Sequence, residues 1–458
     1  MGTFSLLILT FGLASGYNLN NNTLRLLPLM KNGTLGWSLV HQDQLLYVGA
    51  PQAGTGQSGE VYQCEDLTTT PTCSKLGIKP DHNLDGSWFG GSLAASKDTL
   101  YSCAFRYNMK KFDEGASIKN MKYRTGKCYK KGRTETSFED LVDFTKVYEG
   151  RKKYKFPRDN KYDMCAVGDS NYKWWDYGVY GASSTILVTG KFSHLVIGNP
   201  LDLESRGAAR SPSRIHVGSI GKIEEESRKT EMKRTYKKTP WLPPIKNDED
   251  WTNSRFAGYT VTSGNFFWGD TGLAIGAPKI NNYRGKVFIC RNCFETSPTF
   301  RKIDGSKPGE HFGSSLAACD IDGDDRDDLI VGAPHYPESQ QTYNSGLVYV
   351  IMATGEFPRD DFDLPYSITA KSEMRNARFG SSVACLGNTD GSQYKKVMVG
   401  APYYEENGAV FVFRYKLETG KLELSQTIKS QGWEFLNKMI IIIKEQGAVR
   451  TLSKSVLS

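Results

Sequence analysis

Three short landmarks recur in a fixed order along this chain, and a repeat of that kind constrains the fold more than any single motif. The first is a glycine turn with an aromatic neighbour. It reads Leu35-Gly36-Trp37-Ser38, Phe89-Gly90-Gly91-Ser92, Tyr177-Gly178, Ala257-Gly258-Tyr259-Thr260, Phe312-Gly313-Ser314-Ser315 and Phe379-Gly380-Ser381-Ser382. Roughly 15 to 25 residues downstream, room for a strand, a loop and a strand, an apolar run ends in small residues. The copies are Gly49-Ala50-Pro51, Gly198-Asn199-Pro200, Gly276-Ala277-Pro278, Gly332-Ala333-Pro334 and Gly400-Ala401-Pro402, with Leu100 to Ala104 standing in for the second. The third landmark is a glycine followed by alternating β-branched and aromatic residues, as in Gly285-Lys286-Val287-Phe288-Ile289 and Gly346-Leu347-Val348-Tyr349-Val350. Alternation of this kind is the period of a strand with one buried face.

Each unit therefore supplies at least three short antiparallel strands, with room for a fourth before the next turn. Units of about 55 to 90 residues with this content are too long for a solenoid coil and suit a propeller blade. The expected fold class is all-β, a β-propeller with six repeats visible and a seventh blade incomplete. Its expected extent is residues 17–430, followed by an atypical tail over 431–458. The second and third units are lengthened, at roughly 106–176 and 201–251, and such loops commonly carry function. With 458 residues, 46 of them glycine, and 12% aromatics, the composition suits a turn-rich β protein with a large core.

Residues 1–16, MGTFSLLILTFGLASG, read as a secretory signal: an apolar run from Phe4 to Leu13, then the small residues Ala14-Ser15-Gly16. The sequons at Asn21 and Asn32 acquire meaning in the same compartment. Nine cysteines fit an oxidising environment. Cys64 and Cys73 are close enough to bridge a hairpin, and Cys103 and Cys128 to bracket a loop, while an odd count leaves at least one over. No later segment approaches the ~20 apolar residues of a membrane span. The net charge of +8 comes largely from Lys and Arg clusters in polar, turn-rich sequence, which read as solvated loops. An exported chain of this kind is not expected to bind nucleic acid.

The most chemically pointed stretch lies between Cys319 and Leu329. Asp320, Asp322 and Asp324 occupy positions one, three and five of a tight loop, the main-chain carbonyl of Arg326 position seven, and Asp328 position nine. Oxygens in that pattern converge into a calcium cage. Six carboxylates in nine residues repel one another without a cation. An EF-hand is rejected, because its sixth position needs glycine and its twelfth glutamate, where this chain has Asp325 and Val331. In the sixth unit Lys396 falls where the last carboxylate belongs, and the fourth unit, Gly264 to Gly272, offers no ligand set.

On these residues the chain resembles the head of an integrin alpha subunit, whose FG-GAP repeats carry the same landmarks with an acidic comb between FG and GAP. The resemblance covers about residues 17–425. Cys103-Ala104-Phe105-Arg106-Tyr107 followed by Gly126-Lys127-Cys128-Tyr129 looks most like the laminin-receptor branch, and the inserted domain of some alpha subunits is absent. The resemblance implies a non-enzymatic, calcium-stabilised receptor head that pairs with a beta subunit and, jointly with it, binds an extracellular matrix protein such as laminin. It also implies that aromatic residues at the centre of the propeller meet a basic residue of the beta subunit. Phe89, Tyr177, Phe312 and Phe379 match the aromatic position, with core packing as the competing role. Trp174 and Trp175 sit in a loop before the third unit that is either ligand-facing or folded into the core. Cys165 stands where the family has half of a disulfide, and Cys290 and Cys293 would pair only in a strained loop.

The family's seventh FG-GAP unit, legs and membrane span are missing after Ser425, so an open seventh position is expected to expose strand edges. The chain would reach the cell surface within a full-length heterodimer, or be secreted as given. Competing readings are a truncated secreted decoy, a non-functional fragment, or a propeller attached to a phospholipase-type enzyme. Against the enzyme, the six histidines lack zinc-ligand spacing and no nucleophile elbow stands out.

Overall fold

The computed structural model describes residues 6–10, 24–27, 36–42, 45–65, 72–79, 84–109, 123–124, 126–141, 181–189, 192–200, 203–204, 215–216, 219–226, 229–233, 256–267, 270–293, 299–339, 341–353, 367–371, 374–386, 396–405, 408–429, 440–445 and 448–451. Over these residues the chain is an all-β propeller with almost no helix. The glycine turn opens a sheet, and the sheet then grows outward as an antiparallel meander. In the fifth sheet the order is Ser315–Cys319, Asp328–Ala333, Leu347–Ile351, Ser367–Lys371. The sixth repeats it with Ser382–Leu386, Lys396–Ala401, Ala409–Lys416 and Lys421–Lys429, and the fourth with Thr260–Phe267, Asp270–Ala277, Lys286–Arg291 and Thr299–Asp304. The first and third sheets follow the same order from Ser38–Gln42 and Ser183–Thr189. The second, from Ser92–Ala95, gains Gly77–Ile78 as a fifth strand on its outer edge, parallel to Ser137–Asp140.

The apolar content of each run decides where its strand lies. Asp328–Ala333 and Lys396–Ala401 are buried along their whole length, as unbroken apolar runs require when both faces are covered. Lys421–Lys429, at the outer edge, leaves most positions at least partly exposed. The core is therefore a set of slabs between neighbouring sheets. One slab joins Ile289, Phe312, Val331 and Tyr349, and the next joins Ile330, Val348, Phe379, Val399 and Phe411.

All three landmarks meet at the junction between consecutive units. The hydroxyl of Ser315 donates to the carbonyl of Gly380 at 2.8 Å, and Ser38, Ser92, Ser183 and Thr260 make the same bond to Gly90, Gly181, Gly258 and Gly313. That carbonyl lies against the Gly-Ala-Pro glycine of the preceding unit. A Cβ on Gly332 would approach Gly380 O closer than the 3.0 Å that real Cβ atoms keep, and Gly49, Gly198 and Gly276 are equally confined. The third-landmark glycines bridge to the aromatic backbone of the next unit, Gly59 to Phe89, Gly285 to Phe312 and Gly346 to Phe379. The motif is thus a fastening between neighbours, which is why it recurs once per unit.

This junction corrects one sequence assignment. In the third unit the turn glycine is Gly181, which bonds Gly198 as Gly258 bonds Gly276, and it receives the Ser92 hydroxyl. Tyr180-Gly181-Ala182-Ser183 is the aligned tetrapeptide, and Tyr177-Gly178 lies outside the described residues.

The ring is also closed where an open position was expected. The leading strands of successive sheets touch in turn, and Ala448–Thr451 touches both Ser382–Leu386 and Ser38–Gln42. It belongs to a four-stranded sheet with Ile440–Glu445, Leu6–Thr10 and Leu24–Leu27, in which Leu6–Thr10 runs parallel to Ile440–Lys444. Residues of the tail thus stand between the leading strands of the sixth and first sheets.

Disulfides join Cys64 to Cys73 across paired strands and Cys103 to Cys128 within the second sheet. Two further bridges, Cys290–Cys293 and Cys319–Cys385, were not assigned from spacing, the second because its halves sit on leading strands of adjacent sheets 66 residues apart. Cys165 lies outside the described residues.

Candidate metal centre

The acidic loop joins the first two strands of the fifth sheet, Ser315–Cys319 and Asp328–Ala333. Cys319 and Asp328 are paired across the ladder, so the intervening residues form one closed turn. One ligand atom from each of Asp320, Asp322 and Asp328 lies within 4.8 Å of the others. Each carboxylate is aimed by the backbone around it. Asp320 Oδ1 accepts N–H bonds from Gly323 at 2.8 Å and Asp324 at 3.1 Å. Asp328 is buried, with Ile321 N–H donating to one oxygen and Ala353 N–H to the other, both at 2.8 Å.

Asp324 behaves differently. Its carboxylate accepts from the Arg326 backbone N–H at 3.0 Å and is ion-paired with the Arg326 guanidinium. Of the five expected ligand positions, three carboxylates converge, while Asp324 is engaged by the residue whose carbonyl was expected at position seven.

Burial is the main reason that Asp328 and Asp322 titrate high. It lifts Asp328 to about 7, against bonds from Ala353 and Ile321 that favour the charged form, with Asp322 and Asp324 adding repulsion. Burial and then the neighbouring Asp324 and Asp320 charges raise Asp322 as well. Hard oxygen donors held in a tight turn and short of positive charge suit calcium, which takes 6–8 oxygens. Asp320, Asp322 and Asp328 would hold it, and the ion would supply charge neutralisation that stiffens the turn.

The loop is also fastened sideways, by a residue that sequence patterning missed. Asn265, in the first hairpin of the fourth sheet, donates its N–H to Asp327 Oδ2 at 2.7 Å and its side-chain amide to the Asp325 carbonyl at 3.1 Å. Asp327 N–H returns a bond to the Asn265 carbonyl at 3.0 Å. The fourth-unit loop thus serves as an anchor for its neighbour. In the sixth sheet, the buried Lys396 opens the strand where the fifth has Asp328, and residues 388–395 lie outside the described residues.

The expected partner-facing aromatics are placed otherwise. Phe89, Phe312 and Phe379 are at most 1% exposed and pack edge-on against Tyr129 and Phe138, Tyr349, and Phe411 and Phe413 respectively. Burial in the slabs removes them from any partner surface. The half-buried residue one step earlier has the freer side chain: Trp88, His311 and Arg378, with Phe256 at the matching step of the fourth unit, all at positive φ. Own-chain cations already cover two of those rings, Arg106 over Trp88 at 4.3 Å and Lys279 over Phe256 at 4.4 Å. Trp174, Trp175, Tyr177, Asn21 and Asn32 lie outside the described residues. No helix among the described residues is long and apolar enough to cross a membrane.

Comparison with known proteins agrees with this geometry. The FG-GAP repeat family model matches residues 312–351, from the buried Phe312 through the acidic loop to the third strand. The chain is 25% identical over 440 residues to integrin alpha-PS2 of Drosophila melanogaster, covering 88% of this chain and 29% of that protein. It is 25% identical over 442 residues to integrin alpha-3 of Cricetulus griseus, covering 90% and 37%. With integrin alpha-5 of Xenopus laevis it shares 25% over 439 residues, covering 89% and 38%. The chain therefore spans about a third of the length of these relatives.

Proposed function

From its likeness to integrin alpha subunits along nine-tenths of its length, we propose that this chain is the propeller head of an integrin-type adhesion receptor. It pairs with a beta subunit and, jointly with it, engages an extracellular matrix ligand, laminin being the candidate from the Cys103–Tyr107 and Gly126–Tyr129 segments. The observation that carries the reading is the junction itself: five units present the same hydroxyl-to-carbonyl latch in register with the FG-GAP landmarks.

In this reading the six turn-bearing units are six blades, and the sheet holding Ala448–Thr451 fills the seventh place. Removal of a 1–16 signal would take Leu6–Thr10 with it and leave Ile440–Glu445 and Ala448–Thr451 as the closing hairpin. The sequons and disulfides support a head exported from the cell, which in this reading stands at the surface within a heterodimer. Co-expression with a beta subunit and pull-down from the medium in calcium is expected to recover both chains. Absence of association would sink the receptor reading.

Calcium at the acidic loop stabilises this head in the same reading. A protein carrying Asp322→Ala and Asp324→Ala is expected to lose the calcium-dependent rise in Tm, followed by differential scanning fluorimetry with calcium chloride and with chelator. An unchanged calcium response in that double variant would exclude the loop as the responsible site.

A further inference from the structure

The strand Lys127–Gly132 contains a charge where its geometry calls for a core residue. Side chains alternate along a strand, so Lys127, Tyr129 and Lys131 share one face. Tyr129 on that face is fully buried and packs with Phe89, Phe138, Val61 and Leu76 in the slab between the first and second sheets. Lys127 has its own counter-ion, Asp140 at 2.7 Å, and lies over the Tyr107 and Tyr129 rings. Lys131 is 4% exposed, and among the described residues its ammonium donates to the adjacent Gly132 carbonyl at 3.3 Å. Two of its three N–H donors are left without a described partner.

The slab ends beside Lys131 in an open cleft of about 830 Å³. That lies within the range of about 300–1,000 Å³ typical of ligand sites. Three cations line it, Lys131, Arg133 and Lys75, against one acid, Glu135. Lys75 is paired with Glu60 at 2.6 Å, and Glu135 is engaged by the Gly132 N–H at 2.8 Å. Gln63 and Thr134 add neutral polar groups. Burial lowers the Lys131 pKa, with Glu135 opposing, so the ammonium is under-compensated where it stands.

We propose that this cleft binds the oxyanion of a small sulfate or phosphate ester, with Lys131 as the buried counter-ion and Arg133 at the rim. An oxyanion offers acceptors to the unmet Lys131 donors, and the volume beyond it admits a body the size of a sugar ring. A charge-assisted bond in a partly desolvated site is roughly twice as strong as a neutral one. The cleft is lined by residues of the first and second sheets, whereas the acidic loop is fastened between the fourth and fifth, so calcium binding at that loop is not a premise of the inference.

The test titrates the full chain with glucose 6-sulfate, glucose 6-phosphate and inorganic sulfate at ionic strength held constant with sodium chloride, followed by calorimetry and by Tm. Saturable binding of at least one ester is expected, and the preferred ester identifies which source the cleft favours. Lys131→Met should reduce affinity at least tenfold, while Lys130→Met, on the other face of the strand, should leave it unchanged. Should Lys131→Met fail to fold, Arg133→Gln at the rim is expected to weaken binding at least threefold. No saturable binding by either ester, or binding unaffected by the folded variants of Lys131 and Arg133, would overturn the proposal.

Discussion

Replacing Gly332 with alanine is expected to destabilise the protein by about 3 kcal/mol or more, at the upper end of what overpacking a core costs. The new Cβ would drive into the Gly380 carbonyl and the Ser315 hydroxyl, both inside the contact distance real Cβ atoms keep. Rotation of Ser315 relieves only half of that clash. The Gly380 carbonyl is backbone, pinned because Gly380 N–H is bonded to Gly400 O at 3.1 Å and Phe379 is locked into the slab at 1% exposure. The fifth and sixth sheets would have to separate. Two controls isolate the cause. Ser315→Ala removes only the 2.8 Å hydrogen bond to the same carbonyl and should cost about 1–2 kcal/mol. Gly400→Ala is the sharper one, since its Cβ meets the Ser382 hydroxyl, with every other atom at 3.6 Å or beyond. A serine hydroxyl can turn away, so this variant should lose less than about 1.5 kcal/mol. Urea denaturation of the three proteins decides the matter, and equal losses at Gly332 and Gly400 would dismiss the fastening role.

The same contrast shows what was legible in the sequence. Glycines and small hydroxyls recur because one junction is built repeatedly, so strand content, sheet order and the acidic turn could be read locally. The third unit was misaligned because Tyr177-Gly178 and Tyr180-Gly181 stand three residues apart and only the Ser92 latch distinguishes them. Contacts across the sequence were not legible. The parallel pairing of Leu6–Thr10 with Ile440–Lys444 leaves no periodic trace, and an isoleucine run long enough for one strand says nothing about its neighbour. Cys319 and Cys385 meet because adjacent leading strands run side by side. Asn265 carries no sequence signal at all, being one polar residue in a hairpin whose value depends on Asp325 and Asp327 arriving from another sheet. The aromatic of each turn was the subtler case. At Phe89, Phe312 and Phe379 two roles were open, partner contact and core packing, and burial at the slab's centre favours packing.

Acidification is expected to weaken the junction before Phe312 through His311. Burial, then the charges of His335, Lys279 and Arg378, lower its pKa from 6.5 to about 4. The His311 ring stacks on Tyr283 with centroids 5.6 Å apart and lies 4.4 Å from the His335 ring, whose Nδ1 is 3.0 Å from Asn344 Oδ1. The nearest acid in sequence, Glu310, is committed to Ser306 and Tyr349, and burial raises its pKa. The unfolded chain therefore takes a proton at His311 below 6.5, while the folded chain withholds it until about 4. The stabilisation is complete above the higher value, is lost as pH falls between the two, and is flat below the lower. At 1.36 kcal/mol per pKa unit the loss is on the order of 3 kcal/mol. Glu310 contributes with the opposite sign, because a raised carboxyl binds its proton more tightly when folded, so the observable is the difference between wild type and His311→Phe. Phenylalanine keeps a ring against Tyr283, and Phe256 and Trp88 already hold the same positive-φ backbone. Stability of the variant measured from pH 7 to pH 4 should fall less steeply than wild type, with most of the divergence between about 6 and 4.5. Parallel curves would mean that His311 takes up its proton at the same pH folded as unfolded and that its burial has no consequence for acid stability.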